Sequence, residues 1–246
     1  MSIITSTTRF TLAALLAICF ASCQDFDVKT IVGSGNVKTE TRNIQGNFTK
    51  IKASRGLDVE IEQADVTSVV VEADDNLISH ITTKLEGNTL VISSDYNGYT
   101  NVTAKKVTVK MPKIEGLTAE AGSSIRSLNN LISENLSLET NSGANMKVVV
   151  EAEDLSAESS SGSTLEVSGK AIDFDTNSSS GSGVEAGQLL ANDVSADASS
   201  GSHIVVHPIV KLDGKASSGG SVEYNNDPKS LERDESSGGS VGKRTN

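Results

Sequence analysis

From about residue 120 onward, apolar side chains return at fixed distances from a recurring glycine. Three residues after Gly122, Gly143, Gly162, Gly181, Gly201, Gly219 and Gly238 stand Ile125, Met146, Leu165, Val184, Ile204, Val222 and Val241. Successive glycines lie 21, 19, 19, 20, 18 and 19 residues apart. Two residues beyond the first apolar column comes a second, Val148, Val167, Ala186, Val206 and Tyr224. A third, Leu136, Leu155, Phe174, Val194, Leu212 and Leu231, lies seven residues before each glycine. Side chains alternate faces along a strand, so these odd offsets share one face, the inner one. A period near twenty residues that also carries strand alternation predicts stacked coils. The chain therefore reads as all-β: a right-handed parallel β-helix of about 19–20 residues per coil, preceded by an irregular, strand-rich N-terminal half.

The same parity places the serine before each glycine (Ser142, Ser161, Ser180, Ser200, Ser218 and Ser237) inside, as small hydroxyls filling a narrow corner. Glycine at the corner itself supplies positive φ. Helix is disfavoured because Ser, Gly, Thr, Asn and Val dominate and no 3.6-residue stripe is present. The in-register apolar columns argue against disorder, despite Ser/Gly-rich acidic stretches such as Glu158 to Ser163.

Before Pro112 the period is lost but the β character persists. Leu57-Asp58-Val59-Glu60-Ile61, Leu90-Val91-Ile92 and Val107-Thr108-Val109-Lys110-Met111 read as strands, and Val69-Val70-Val71 as a fully buried one. Asp74-Asp75-Asn76, Gly87-Asn88 and Asn97-Gly98 supply turns, and a short helix fits Asn76 to Thr82. The expected organisation is a signal peptide over 1–22, a lipidated cysteine and tether over 23–36, an N-terminal β region over 37–115, and β-helix repeats over 116–246.

The leader rests on Arg9, the only charge before an apolar run from Phe10 to Ala21 that is too short to span a bilayer. Phe20-Ala21-Ser22-Cys23 then resembles a bacterial lipobox, with cleavage between Ser22 and Cys23 and lipidation of Cys23. Acidic residues in Gln24-Asp25-Phe26-Asp27 resemble the surface-export signals of Bacteroidetes lipoproteins. With Cys19 removed and Cys23 acylated, no disulfide or thiolate chemistry remains. The formal charge of −11 becomes −12 once Arg9 is lost, which disfavours nucleic acid and anionic lipid as partners. Aromatic residues are 3% of the chain and tryptophan is absent, so a glycan site would have to work through polar groups.

Gly33-Ser34-Gly35-Asn36-Val37, Phe48-Thr49-Lys50-Ile51, Leu57-Asp58-Val59-Glu60-Ile61, Asn76-Leu77-Ile78, Gly87-Asn88-Thr89-Leu90, Val109-Lys110-Met111-Pro112 and the coil motif Ser160-Ser161-Gly162-Ser163 occur in this order. Together they resemble the head GIN domain family of putative auto-transporter adhesins, common among Bacteroidetes lipoproteins. The resemblance implies β-helical coils and an envelope location, and brings no catalytic residues.

Candidate chemistry is sparse. His80, His203 and His207 are the only ordinary neutral-pH bases; His203 points outward by parity, His207 adjoins Pro208, and His80 lacks an identifiable partner. The outward column four before each glycine reads Glu139, Glu158, Asn177, Asp197, Lys215 and Asp234, and Asp173 with Asp175 adds a second acidic cluster. Glu139, Glu158, Asp173, Asp175 and Asp197 are therefore candidate weak calcium or ligand contacts, although neither a β-roll nonapeptide nor an EF-hand loop is present. A polysaccharide-active β-helix enzyme would need carboxylates and cations converging in one groove, whereas Arg126, Arg233 and Arg244 are scattered. No cofactor is expected. The expectation is a non-enzymatic outer-membrane protein anchored by its N-terminal lipid, a monomer or weak dimer that presents its β-helix to a glycan or protein on another surface. A periplasm-facing scaffold or stress-related lipoprotein is the alternative.

Overall fold

The computed structural model describes residues Val28–Arg244. The expected signal peptide, cleavage site and Cys23 lie outside the described residues.

The strands in chain order are β1 (Thr30–Val32), β2 (Val37–Arg42), β3 (Lys50–Ala53), β4 (Asp58–Gln63), β5 (Ser68–Asp74), β6 (Ile81–Glu86), β7 (Thr89–Ser94), β8 (Gly98–Thr100) and β9 (Lys105–Met111). They continue with β10 (Gly116–Ala119), β11 (Ser124–Thr140), β12 (Asn145–Ser159), β13 (Thr164–Ser178), β14 (Gly183–Ala198), β15 (His203–Ala216), β16 (Ser221–Tyr224), β17 (Ser230–Glu235) and β18 (Ser240–Lys243). A single 3₁₀ turn, Ile78–His80, stands where a short helix was expected. Of the expected tether, the described part includes β1, which pairs in parallel with β8.

The long strands β11 to β15 each make one coil and pair in parallel with the next, in the register predicted by the glycines. Met146 sits beside Leu165, Leu165 beside Val184, and Val184 beside Ile204. All three apolar columns are buried up to β16; in the last coil Leu231 is 37% exposed. Irregularities at Arg126/Asn130, Glu166/Ser168 and Glu185/Leu190 bend the long strands around the coil.

The Ser-Gly corners differ from the parity argument. Ser142, Ser161, Ser180, Ser200, Ser218 and Ser237 are exposed, with φ between 48° and 56°, and the glycine that follows each is also left-handed. Two successive left-handed residues make a tight mirror-image turn, closed for example by Ser163 N–H to Ser160 C=O at 3.3 Å. Alternation does not survive such a turn, so the buried position moves to the residue after the glycine: Ser123, Ala144, Ser163, Ser182 and Ser202. There the hydroxyls do what the sequence suggested for their neighbours. Ser182 Oγ donates to Ser159 C=O of the preceding coil at 2.7 Å, and Ser202 and Ser163 repeat the bond to Ser178 and Thr140. Each also accepts its own turn's N–H, as Ser179 N–H to Ser182 Oγ at 3.2 Å. At Gly220 and Gly239 the backbone closes in instead, and a Cβ would lie 2.3 and 2.2 Å from the carbonyl oxygens of Ala198 and Ala216.

The solenoid reaches into the irregular half, but its layers are stacked out of chain order. β3 and β4, joined by a left-handed Arg55-Gly56 corner, form one layer, which pairs with β10 and β11 on one side and with β7 and β9 on the other. The chain therefore leaves β4, builds the outer layer, and returns past it to β10. Antiparallel strands cover the far end: β6 on β7, and β5 on β9 with β2 beyond. Val69 and Val71 are buried but Val70 is half-buried, so β5 alternates and is not the fully buried run expected. One hydrophobic core runs from Ile31 to Val241.

Asp74, fully buried at the end of β5, ties this cap together by accepting N–H bonds from Gly35 at 2.9 Å, Thr103 at 3.0 Å and Ala104 at 2.9 Å. Burial raises its pKa, and the three donors more than reverse that, leaving it below the ordinary 3.8. At the opposite end, β17 and β18 carry charge where other coils carry core. Arg233 reaches the Tyr224 hydroxyl, and Glu235 accepts the Val241 N–H. Lys243 and Arg244 pair with Asp227 and Glu223.

Three outcomes follow for stability. Leu165→Asp places an unpaired carboxylate in the buried column and should cost several kcal/mol, read as a lowered denaturant midpoint. Ser182→Ala should cost about 1–2 kcal/mol through its lost bonds, whereas Ser180→Gly should be neutral or stabilising because it relieves a left-handed serine. An inward Ser180 would reverse that order. Because the folded pKa of Asp74 is depressed, its contribution is present above 3.8 and is lost as pH falls through the lower folded value. In Asp74→Asn this acid-dependent loss should shrink, measured as unfolding free energy against pH.

Candidate functional site

Between the bend after β-segment Asn130–Ser133 and the Ser-Gly corner, each coil presents one flat flank whose outward side chains repeat every strand spacing of about 4.8 Å. Parallel register builds three columns there. The first is Asn135, Asp154, Asp173, Asp193 and Lys211; the second Ser137, Ser156, Asp175, Ser195 and Asp213; the third Glu139, Glu158, Asn177, Asp197 and Lys215. Opposite faces of the same segments carry Leu136, Leu155, Phe174 and Val194 into the core, which holds the outward groups in fixed register.

The flank is acidic along its first column between Lys50 and Lys211, and acidic again in the last coil, where Glu232 and Asp234 follow Asp213 and Lys215 in register. Lys50, whose stem packs over Gly116, stands at one end of the groove along the first column, and Lys211 at the other. Among the described residues, none of Asp154, Asp173, Asp175, Asp193, Glu139, Glu158 or Asp197 forms an ion pair. Glu139 is touched by Asn141 Nδ2 at 3.3 Å. Carboxylates one strand spacing apart repel, so this ladder is maintained against its own electrostatics.

The expected contacts fall into this frame unevenly. Glu139 and Glu158 are direct neighbours, Asp197 is separated from them by Asn177, and Asp173 and Asp175 lie on one coil in different columns. Asp154 and Asp193, which complete the densest column, were not singled out from the sequence. An offset of eight before the glycine would have revealed them. A calcium site takes about six to eight oxygens around one ion, more than two neighbouring carboxylates of one column supply. Among the described residues no group of three or more His, Cys, Asp or Glu is arranged to hold a metal.

The histidines lie apart. His203 Nε2 is 2.9 Å from Glu185 Oε1. His207 pairs in register with Leu190 on another face, so the two form no metal pair. His80 does have a partner: its Nδ1 lies 3.1 Å from Asp95 Oδ2, and its ring packs edge-on against Tyr96 at 4.9 Å. No helix among the described residues is long and apolar enough to cross a membrane.

Solved structures share this architecture. A protein of Bacteroides fragilis described as a putative adhesin is 21% identical, with a TM-score of 0.79 over 87% of this chain and 100% of the other. A protein of Parabacteroides distasonis described as a putative lipid binding protein is 20% identical, with a TM-score of 0.70 over 88% and 100%. A putative adhesin of Parabacteroides merdae is 16% identical, with a TM-score of 0.69 over 89% and 100%. No curated protein matches the sequence significantly. Residues 47–228, spanning both the capped N-terminal layers and the regular coils, match the family described as "Putative auto-transporter adhesin, head GIN domain", and the chain belongs to that family.

Proposed function

We propose that this protein is a non-enzymatic adhesin, held to the outer membrane by a lipid on Cys23, whose acidic flank binds a cationic protein or a glycan on another surface. The observation that carries this reading is the ladder of unpaired carboxylates in register across successive coils. Like charges held at strand spacing weaken the fold, so their recurrence calls for a reason outside it. A flat, rigid flank with repeated groups gives many modest contacts along an extended partner, and such contacts multiply when made together. Family membership supports an adhesive role, and the Phe20-Ala21-Ser22-Cys23 sequence supports the anchor.

The flank holds no convergent acid–base pair with a positioned cation beside it, and its carboxylates lie side by side along the coils. Binding therefore suits it better than hydrolysis or lyase chemistry. The address separates this reading from a periplasm-facing scaffold. Protease added to intact cells should remove the protein if it faces outward, whereas protection until the outer membrane is permeabilised would favour the scaffold.

Neutralising the first column with Asp154→Asn, Asp173→Asn and Asp193→Asn should lower cell adhesion at least several-fold while leaving the melting temperature equal or higher. Unchanged adhesion in that triple variant would remove the flank from the binding surface.

A further inference from the structure

The exposed large aliphatic residues of β11 to β15 are not scattered. Leu128, Ile132, Val149, Ile172, Leu190 and Ile209 all lie on the face built by the middle segment of each coil and on the corners bounding it. The acidic flank carries none of them. On this face the central outward column reads Ile132, Glu151, Lys170, Leu190 in the four coils β11 to β14, with His207 following in β15. Ile132 is 61% and Leu190 42% exposed, and both charges are exposed as well. Glu151 and Lys170 are neighbours in register, yet they form no ion pair within the chain.

The order apolar, acid, base, apolar is complementary to its own reverse. Two identical faces that pack together are related by a two-fold axis lying in their common plane. An axis along the solenoid would set each residue over its own copy, so Glu151 would meet Glu151 and Lys170 would meet Lys170. An axis along the strands, between β12 and β13, reverses the column instead. Glu151 then faces the partner's Lys170, Lys170 faces the partner's Glu151, and Ile132 packs on the partner's Leu190. Beside them Asn130 comes opposite the partner's Gln188, amide to amide, and Val149 opposite the partner's Ser168. Towards the other corner Glu153 meets the partner's Ile172 at the rim, where the carboxylate stays hydrated.

We infer that this face is a self-association surface on which two copies pack with their solenoid axes antiparallel. Charge complementarity selects this occupant, because the pattern matches itself only in the reversed orientation. Four coils at about 4.8 Å make a contact about 19 Å long, smaller than a stable interface of about 800 Å² per partner. The dimer is accordingly weak, with dissociation on the order of 10–100 µM. The inference stands apart from the adhesive reading, since it uses a different face and different residues.

Sedimentation velocity of the full chain in mild detergent, from about 1 to 300 µM, tests it, with circular dichroism and melting temperature confirming that each variant folds. The wild type should dimerise with concentration. Glu151→Lys and Lys170→Glu should each weaken dimerisation at least tenfold, because each sets like charges face to face. The double variant Glu151→Lys/Lys170→Glu should recover to within about threefold of the wild type. A wild type that stays monomeric throughout, single reversals without effect, or a double variant no better than the singles would each overturn the inference.

Discussion

Parallel coils stacked at one strand spacing impose a rule on every side chain: whatever stands at a position must tolerate the residues at the equivalent position of the coils directly above and below. The hydrogen-bond ladder sets that spacing and cannot be relaxed locally without breaking the sheet. Inside, the rule is met by aliphatic columns and by serines that reach the carbonyl of the coil before. Outside, it sets every charge directly beside the equivalent residue of the next coil, whether that residue carries the same charge, the opposite one or none. Aliphatic stacking stabilises the molecule through burial, whereas the stacked carboxylates of the flank oppose it, so the two sides of one strand segment act in opposite directions.

The corner is where the rule is most exacting. A turn of two left-handed residues reverses the chain within a few ångströms and sends the next residue inward, and a serine there both caps the turn and joins two coils. Where Ala144 takes that place the coil manages without the hydroxyl, and where glycine takes it the carbonyl of the neighbouring coil occupies the space. The corner keeps its left-handed pair while the first of the two residues varies, as Arg55, Ala121 or serine, and the residue after the glycine varies in how it contacts the coil before it.

Much of this was legible because the rule writes itself into the sequence as fixed offsets. The three apolar columns and the outward Glu139–Glu158 column are read directly once the glycines are aligned. Ser180 and its equivalents were misplaced because alternation was carried through a turn in which successive residues no longer alternate. The N-terminal layers were illegible as repeats for a different reason: β3 and β4 lie between β7 and β9 on one side and β10 and β11 on the other, so spatial neighbours are not sequence neighbours. The partner of His80 is not legible in the sequence because Asp95 arrives from across the β6–β7 hairpin. Asp154 and Asp193 stand eight residues before their glycines, two outward positions away from the offset of four that aligns Glu139 with Glu158.

The two ends of the solenoid differ from its middle and from each other. One is closed by antiparallel strands and by Asp74 drawing three backbone segments together. The other is closed by Arg233 and Glu235 in positions that are otherwise core. Neither device depends on how many coils lie between. Coil number is therefore a free variable: a duplication or deletion of about nineteen residues between β12 and β14 shifts the ends apart or together by one strand spacing while every interface keeps its kind. The molecule has the construction of an extensible ruler, in which reach evolves by whole units without redesign of the parts that close it.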